Sequence, residues 1–242
     1  MKALAFTLLT GALLISSCGQ KADKALRPDS TEANDTTATA EAKTDFASPD
    51  LQMHGLKGQV KQVSTTEYES DKNGKQDFER NKTLLTFDPQ GYWTGNEKAR
   101  FKTGNITRDK DGRISKLTYS YLINKEEDYG YEYDYTYKYD AAGRLTTMGE
   151  EYVGELSGGF EYLFTYDQAG ELISYTQKGG GDGVDVESAY TITVLERDDH
   201  GNWTRRLQKE VCTTTEEYDE DGQTDKSTYT EYVLQVRKIE YY

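Results

Sequence analysis

Residues 129–139 read Tyr-Gly-Tyr-Glu-Tyr-Asp-Tyr-Thr-Tyr-Lys-Tyr, so six tyrosines recur at every second position. Side chains two apart on a β-strand share a face. Such a face offers flat apolar surface tipped with hydroxyls, which is chemistry suited to stacking on a sugar ring or a peptide. Tyr131, Tyr133, Tyr135 and Tyr137 are the candidate binding residues on this basis. Six exposed tyrosines at ~150–250 Å² each would approach about 1,000 Å², more than a soluble monomer ordinarily leaves open. The expectation is that the sheet curls and the tyrosine face serves mainly as core. An open aromatic groove is the alternative.

Residues that could break bonds are sparse. The two histidines are His54 and His200, and the latter sits in the turn-like Asp198-Asp-His-Gly201. A nucleophilic cysteine needs a base beside it, and Cys212 reads instead as a small strand residue. No Gly-x-Ser-x-Gly, His-Glu-x-x-His or phosphate loop occurs. Asp109-Lys-Asp-Gly112 and Asp219-Glu-Asp-Gly222 look like the start of a calcium loop, but that loop needs a bidentate Glu at its twelfth position. Counted from Glu217, the twelfth residue is Thr228. Asp182, Asp185 and Glu187 leave room for weak calcium binding. Acidic residues are plentiful enough that a carboxylate pair for glycoside hydrolysis keeps a glycan-processing enzyme as an alternative. No catalytic residue, metal site or cofactor is assigned.

The elements that would position these groups announce themselves through turns. Asp-x-x-Gly occurs seven times, starting at Asp71, Asp88, Asp109, Asp140, Asp167, Asp198 and Asp219. Asp at the first position of a type I turn accepts backbone N–H groups ahead of it, and Gly at the fourth supplies a left-handed residue. That is a common hairpin connection. An aromatic precedes the Asp in four cases (Phe87, Tyr139, Tyr166, Tyr218), and an apolar residue stands two after the Gly in five (Trp93, Ile114, Leu145, Leu172, Trp203). These face each other across the hairpin, a cross-strand pair of ~0.2–1 kcal/mol. Intervening lengths of 13, 17, 27, 23, 27 and 17 residues fit one strand or two. The count is about eleven strands, near 58–70, 75–87, 92–108, 113–124, 130–139, 144–153, 160–166, 171–178, 186–197, 202–217 and 223–240. It places the turns at Asp71, Asp109, Asp140, Asp167 and Asp198 on one edge of the sheet. No helical periodicity competes between residues 58 and 242. The fold class expected is all-β: an antiparallel meander, strongly curved into a half-shell or partly closed barrel, with a flat sheet as runner-up.

Tyr139-Asp-Ala-Ala-Gly-Arg-Leu145 resembles the YD repeat, Y-D-x-x-G-R-L, of RHS-type bacterial surface and toxin-delivery proteins. FDPQGYW, RDKDGRI, YDQAGEL and RDDHGNW are looser copies, and the likeness covers most of residues 70–225. The resemblance implies β-hairpin repeats and says little about activity. With about half a dozen motifs and no cargo domain, the chain departs from the toxin-enclosing shells and is more similar to small YD-repeat lipoproteins of Bacteroidetes-type bacteria.

The first residues carry Lys2, an apolar run from Ala3 to Ile15, and then Ser16-Ser17-Cys18. That run is shorter than the ~20 residues a bilayer span requires and has the layout of a secretory signal. Ile15-Ser16-Ser17-Cys18 resembles the lipobox of bacterial lipoproteins. The resemblance implies a signal peptide over 1–17, lipidation of Cys18, and localisation by lipid anchor at the cell outer membrane on an undetermined face. A multiply acylated cysteine anchors stably. Residues 18–53 are the lipidated cysteine and a polar segment with Phe46 as its one aromatic; this composition buries too little to fold, so it reads as a tether. The β domain is placed at 54–242.

Lys plus Arg total 29 against 43 Asp plus Glu, a net charge of −14, and −15 once Lys2 leaves with the signal. Such a chain repels phosphate backbones, so nucleic acid is excluded as a partner. The expected partners are the membrane, through Cys18, and a glycan or envelope protein. Lys57, Lys61 and Lys72 at one end of the meander and Arg237 and Lys238 at the other read as charges guarding open sheet edges, which predicts a monomer. The functional expectation is a non-catalytic binding or structural role, with toxin neutralisation or docking to an envelope complex as a further alternative.

Overall fold

The computed structural model describes residues 46–95, 105–124, 129–154, 157–218 and 223–242. The side chains of 95, 121–124, 129–131, 217–218 and 223 fall outside that description. The signal peptide, Cys18, residues 19–45 of the tether and the turn Asp219–Gly222 lie outside the described residues. The chain is all-β, as expected. A short helix α1 (Pro49–Met53) precedes β1 (Val60–Ser70), β2 (Gln76–Phe87), β3 (Trp93–Gly95), β4 (Ile106–Arg108), β5 (Ile114–Asn124), β6 (Tyr129–Tyr139) and β7 (Leu145–Val153). Next come β8 (Gly158–Tyr166), β9 (Leu172–Gly181), β10 (Val184–Arg197), β11 (Trp203–Tyr218) and β12 (Gln223–Tyr241). All twelve strands form one antiparallel sheet in the order β3-β2-β1-β12-β11-β10-β9-β8-β7-β6-β5-β4. The sheet is strongly curved and its edges are not joined by a ladder.

That order corrects three expectations. The strand expected over 92–108 is broken: its ends are β3 and β4, which lie on opposite edges of the sheet. The terminal strands are not edges at all, because β1 pairs with β12 from Val60↔Tyr241 to Glu69↔Val233 in the middle of the sheet. Arg237 and Lys238 therefore guard no edge; the edges are three-residue strands, whose shortness is itself protection. Finally, the Asp71 turn, expected beside those at Asp109, Asp140, Asp167 and Asp198, joins β1 to β2 at the far end, and the Asp88 turn stands there instead. The tip of that β1–β2 hairpin docks on the outside of the sheet, with Gly74 O accepting from Arg205 Nη2 at 3.2 Å.

The turns form as their residues dictate. Asp140 Oδ1 accepts the amides of Ala142 and Arg144 at 2.9 Å each, and Gly143 has φ +81°. The Arg144 amide donating to Asp140 holds its carboxyl below the usual carboxylate range. The same geometry recurs at Asp71, Asp88, Asp109 and Asp198, each with its left-handed glycine. The expected cross-strand pairs are in register: Phe87↔Trp93, Tyr139↔Leu145 and Tyr166↔Leu172. A second link joins one hairpin to the next. Tyr139 lies under the Arg113 guanidinium at 5.0 Å and donates to Ile114 O at 2.7 Å. Tyr166 repeats both contacts with Arg144 and Leu145, at 5.2 and 2.8 Å. The Tyr, Asp, Gly and Arg of the repeat thus each have a structural task.

The ring of turns encloses the segment around α1. Ser48 caps α1, accepting Leu51 N at 3.1 Å, and its hydroxyl donates to Gly91 O in the β2–β3 turn at 2.6 Å. Leu51 is wholly buried with Val60, Val63, Leu85 and Phe87, worth roughly 1.5–3 kcal/mol for its side chain. At the segment's other end, Asn202, just after the Asp198 turn, accepts Lys57 N at 2.7 Å and donates to Lys57 O at 2.9 Å. The tether expected through residue 53 is therefore corrected at its end: residues 46–53 belong to the fold. Asp50, with no exposed surface, joins the two edges. It accepts Trp93 N of β3 at 2.8 Å and both terminal nitrogens of Arg108 of β4 at 2.7 and 2.8 Å. Among the described residues no helix is long and apolar enough to cross a membrane.

Candidate functional site: an aromatic interior cavity

Curvature brings one face of nearly every strand around a common interior, because alternate residues share a face. Between the α1 segment and the middle of the shell lies a cavity of about 580 Å³, to which ten of the twelve strands contribute. Its floor is Phe46, Ala47 and the residues from Gln52 to Gly58. Its wall on the β5–β6 side includes Leu117, Tyr119, Tyr135 and Tyr137, and on the β10–β12 side Ile192, Trp203, Arg206 and Arg237.

The tyrosine face turns inward. Tyr135 is 6% exposed and its ring stacks on Tyr119 at 5.6 Å, with the two hydroxyls 3.2 Å apart. Tyr137 is half-buried and lines the cavity; Tyr133 is half-buried behind it, stacked on Tyr119 at 5.1 Å. The Tyr131 side chain lies outside the described residues. The structure thus assembles Tyr135 and Tyr137 at one interior wall and makes Tyr133 a backing residue. Burial pushes the Tyr119 hydroxyl up to about 12, and the Tyr135 hydroxyl higher still. These groups are neutral hydrogen-bonding tips at any physiological pH.

Beyond the cavity, towards the far end, tyrosines and amides close the interior. Tyr175 and Tyr190 stack at 4.1 Å, and Tyr190 Oη lies 2.9 Å from Gln177 Oε1 and 2.8 Å from Glu210 Oε1. Tyr162, 1% exposed, reaches Glu150 at 3.4 Å. Burial raises the Glu150 carboxyl above its ordinary value. That acid is boxed in at 6% exposure.

The positively charged side of the cavity escapes the sequence reading. The Trp203 ring carries two guanidiniums, Arg237 Cζ at 3.7 Å and Arg206 Cζ at 4.1 Å from its centroid. Arg206 Nε donates to Gln235 Oε1 at 2.5 Å, and Gln235 Nε2 donates to Glu67 Oε1 at 2.7 Å. Burial pushes Arg206 down to about 10; burial, with Arg206 beside it, pushes Arg237 well below the usual arginine value. A signal was present: Val233, Gln235 and Arg237 share parity on a strand, so the arginine had to face the way the valine does.

The remaining candidates, Cys212, His200 and Glu187, do not line this cavity. Cys212 is 2% exposed. His200 is exposed and stacks on Tyr241 at 3.9 Å. Glu187 is paired with Lys178. Among the described residues no group of three or more His, Cys, Asp or Glu side chains is placed to hold a metal ion. A scan against protein-family models finds no match to this chain, and a search of curated proteins finds none either.

Proposed function

We propose that this chain is an exported, lipid-anchored envelope protein whose role is non-catalytic binding, and that its binding site is the interior cavity. The lipobox-like Ile15–Cys18 supports the anchor at the outer membrane, and the YD-like turns support a place among small repeat lipoproteins. The observation that carries the binding role is a cavity of about 580 Å³ with tyrosine, tryptophan and aliphatic walls and two guanidiniums on one side. Ligand sites are of about 300–1,000 Å³, mostly apolar, with a few fixed polar groups.

Trp93 and Trp203 are the chain's two tryptophans, and both line this cavity. Titration with the neutral fluorophore N-phenyl-1-naphthylamine should quench their emission saturably at one equivalent. A ligand of about 20 non-hydrogen atoms at ~0.3 kcal/mol each binds at roughly tens of micromolar. A folded protein that shows no saturable quenching up to the probe's solubility limit would exclude the cavity as a binding site.

A further inference from the structure

Three arginines line the cavity; Arg144 is paired with Asp140, and the two stacked on Trp203 are not equivalent. Arg206 is tied through the Gln235 amide to the Glu67 carboxylate. Arg237 has no such tie: among the described residues its Nε and Nη1 are closed off from solvent and lack a hydrogen-bond partner. The same is true of Thr65 Oγ1, beside it in register on β1, and of Thr83 Oγ1, one strand further on β2 (Arg237↔Thr65↔Thr83). Trp93, another cavity-lining residue, has an indole N–H in the same condition. Donors without acceptors are expensive to bury, and a charged one most of all. Stacking on Trp203 offsets part of that cost through a desolvated cation–π contact. It supplies no acceptor.

We propose that Arg237 is the anion anchor of this cavity, and that the ligand is an amphiphile with a single carboxylate head and an apolar body. Two guanidiniums against the one carboxylate of Glu67 leave room for one further negative charge. A carboxylate is acceptor-only and matches the planar guanidinium fork. Its body lies away from Trp203 against Tyr135, Tyr137 and Leu117, where the wall offers ring faces and aliphatic carbon. This inference rests on the cavity being a binding site.

The test compares decanoate with decan-1-ol, its neutral counterpart of equal length, by tryptophan emission at pH 8. Wild-type protein should prefer decanoate by about tenfold or more, the range of a hydrogen bond to a charged group. In Arg237→Met the ratio of the two affinities should fall towards one, with folding checked by circular dichroism. Equal affinities in wild-type protein, or a preference that survives in Arg237→Met, would overturn the anchor while leaving the cavity a binding site. Binding of neither compound would remove both. The wild-type comparison requires no variant, so a failure of Arg237→Met to fold leaves the proposal testable.

Discussion

Asp50 bonds to both free edges of the sheet, so its removal should be costly. Asp50→Ala deletes the acceptor for Trp93 N and the two-point contact with Arg108. Removing one partner of a buried ion pair costs about 3–5 kcal/mol, but the Arg108 side chain is 29% exposed and regains water, which lowers its share to ~2–3. The orphaned Trp93 amide adds about 1 kcal/mol. The sum is roughly 3–4 kcal/mol, a large part of a typical ~5–15 kcal/mol stability. Asp50→Asn keeps an acceptor for Trp93 N and loses the charge, so it should cost about half as much. Urea unfolding followed by tryptophan emission reads both. Combined with Arg108→Met in a double-mutant cycle, Asp50→Ala should show a coupling above about 1.5 kcal/mol. A cost below ~1 kcal/mol for Asp50→Ala, or a coupling near zero, would refute the idea that this carboxylate ties β3 to β4.

Gly91→Ala and Gly170→Ala both place an L-residue at φ +82°, costing ~1–2 kcal/mol. At Gly91 the new methyl also meets Ser48 Oγ at 2.7 Å and Leu51 Cδ1 at 2.9 Å, so thermal unfolding should show that variant losing at least ~1 kcal/mol more. His54 is pushed down to about 4 by burial, with Arg237 nearby adding to it and Asp50 opposing. The unfolded chain then binds the extra proton between pH 6.5 and 4, so stability present above 6.5 is lost as pH falls through that window, about 3 kcal/mol in all. Glu67 and Glu150, both raised by burial, gain stability on acidification and run the other way. The difference between wild type and His54→Phe isolates the histidine, and a difference independent of pH would count against its burial as a neutral ring. Mild nitration read by mass spectrometry should spare Tyr135 and Tyr162, at 6% and 1% exposed, and modify Tyr229 and Tyr242, at 42% and 53%. Early nitration of Tyr135 in folded protein would mean the tyrosine wall is open.

How much of this was legible follows from the range of each interaction. Asp-x-x-Gly turns are settled within five residues, so their position and hairpin geometry read directly from sequence. The alternation of Tyr133, Tyr135 and Tyr137 likewise fixed a shared face, and the size of that face implied curvature. Pairing of β1 with β12 is non-local, and nothing in either strand's composition distinguishes a central partner from an edge. For that reason the sequence alone makes Arg237 look like an edge guard. The break between β3 and β4 did have a local sign: Gly95-Asn-Glu-Lys-Ala-Arg and Thr103-Gly-Asn are poor strand material. Ser48-Pro-Asp is a helix start by residue type, but its polar surroundings outweighed it. What the surroundings could not show is that five turns form a ring, with Ser48, Pro49, Gln52 and Lys57 against the glycines of four of them.

The interior cavity as the binding site is tested most directly by filling it. Met148 lines the cavity beside Tyr135, and Met148→Trp places a bulky ring there. Calorimetric titration of N-phenyl-1-naphthylamine into both proteins should give one site in wild type. In the variant the affinity should fall by about tenfold or more, ~1.4 kcal/mol, with a cooperative melt retained. Equal affinity in the two folded proteins would place the bound molecule outside the cavity and contradict the proposed function.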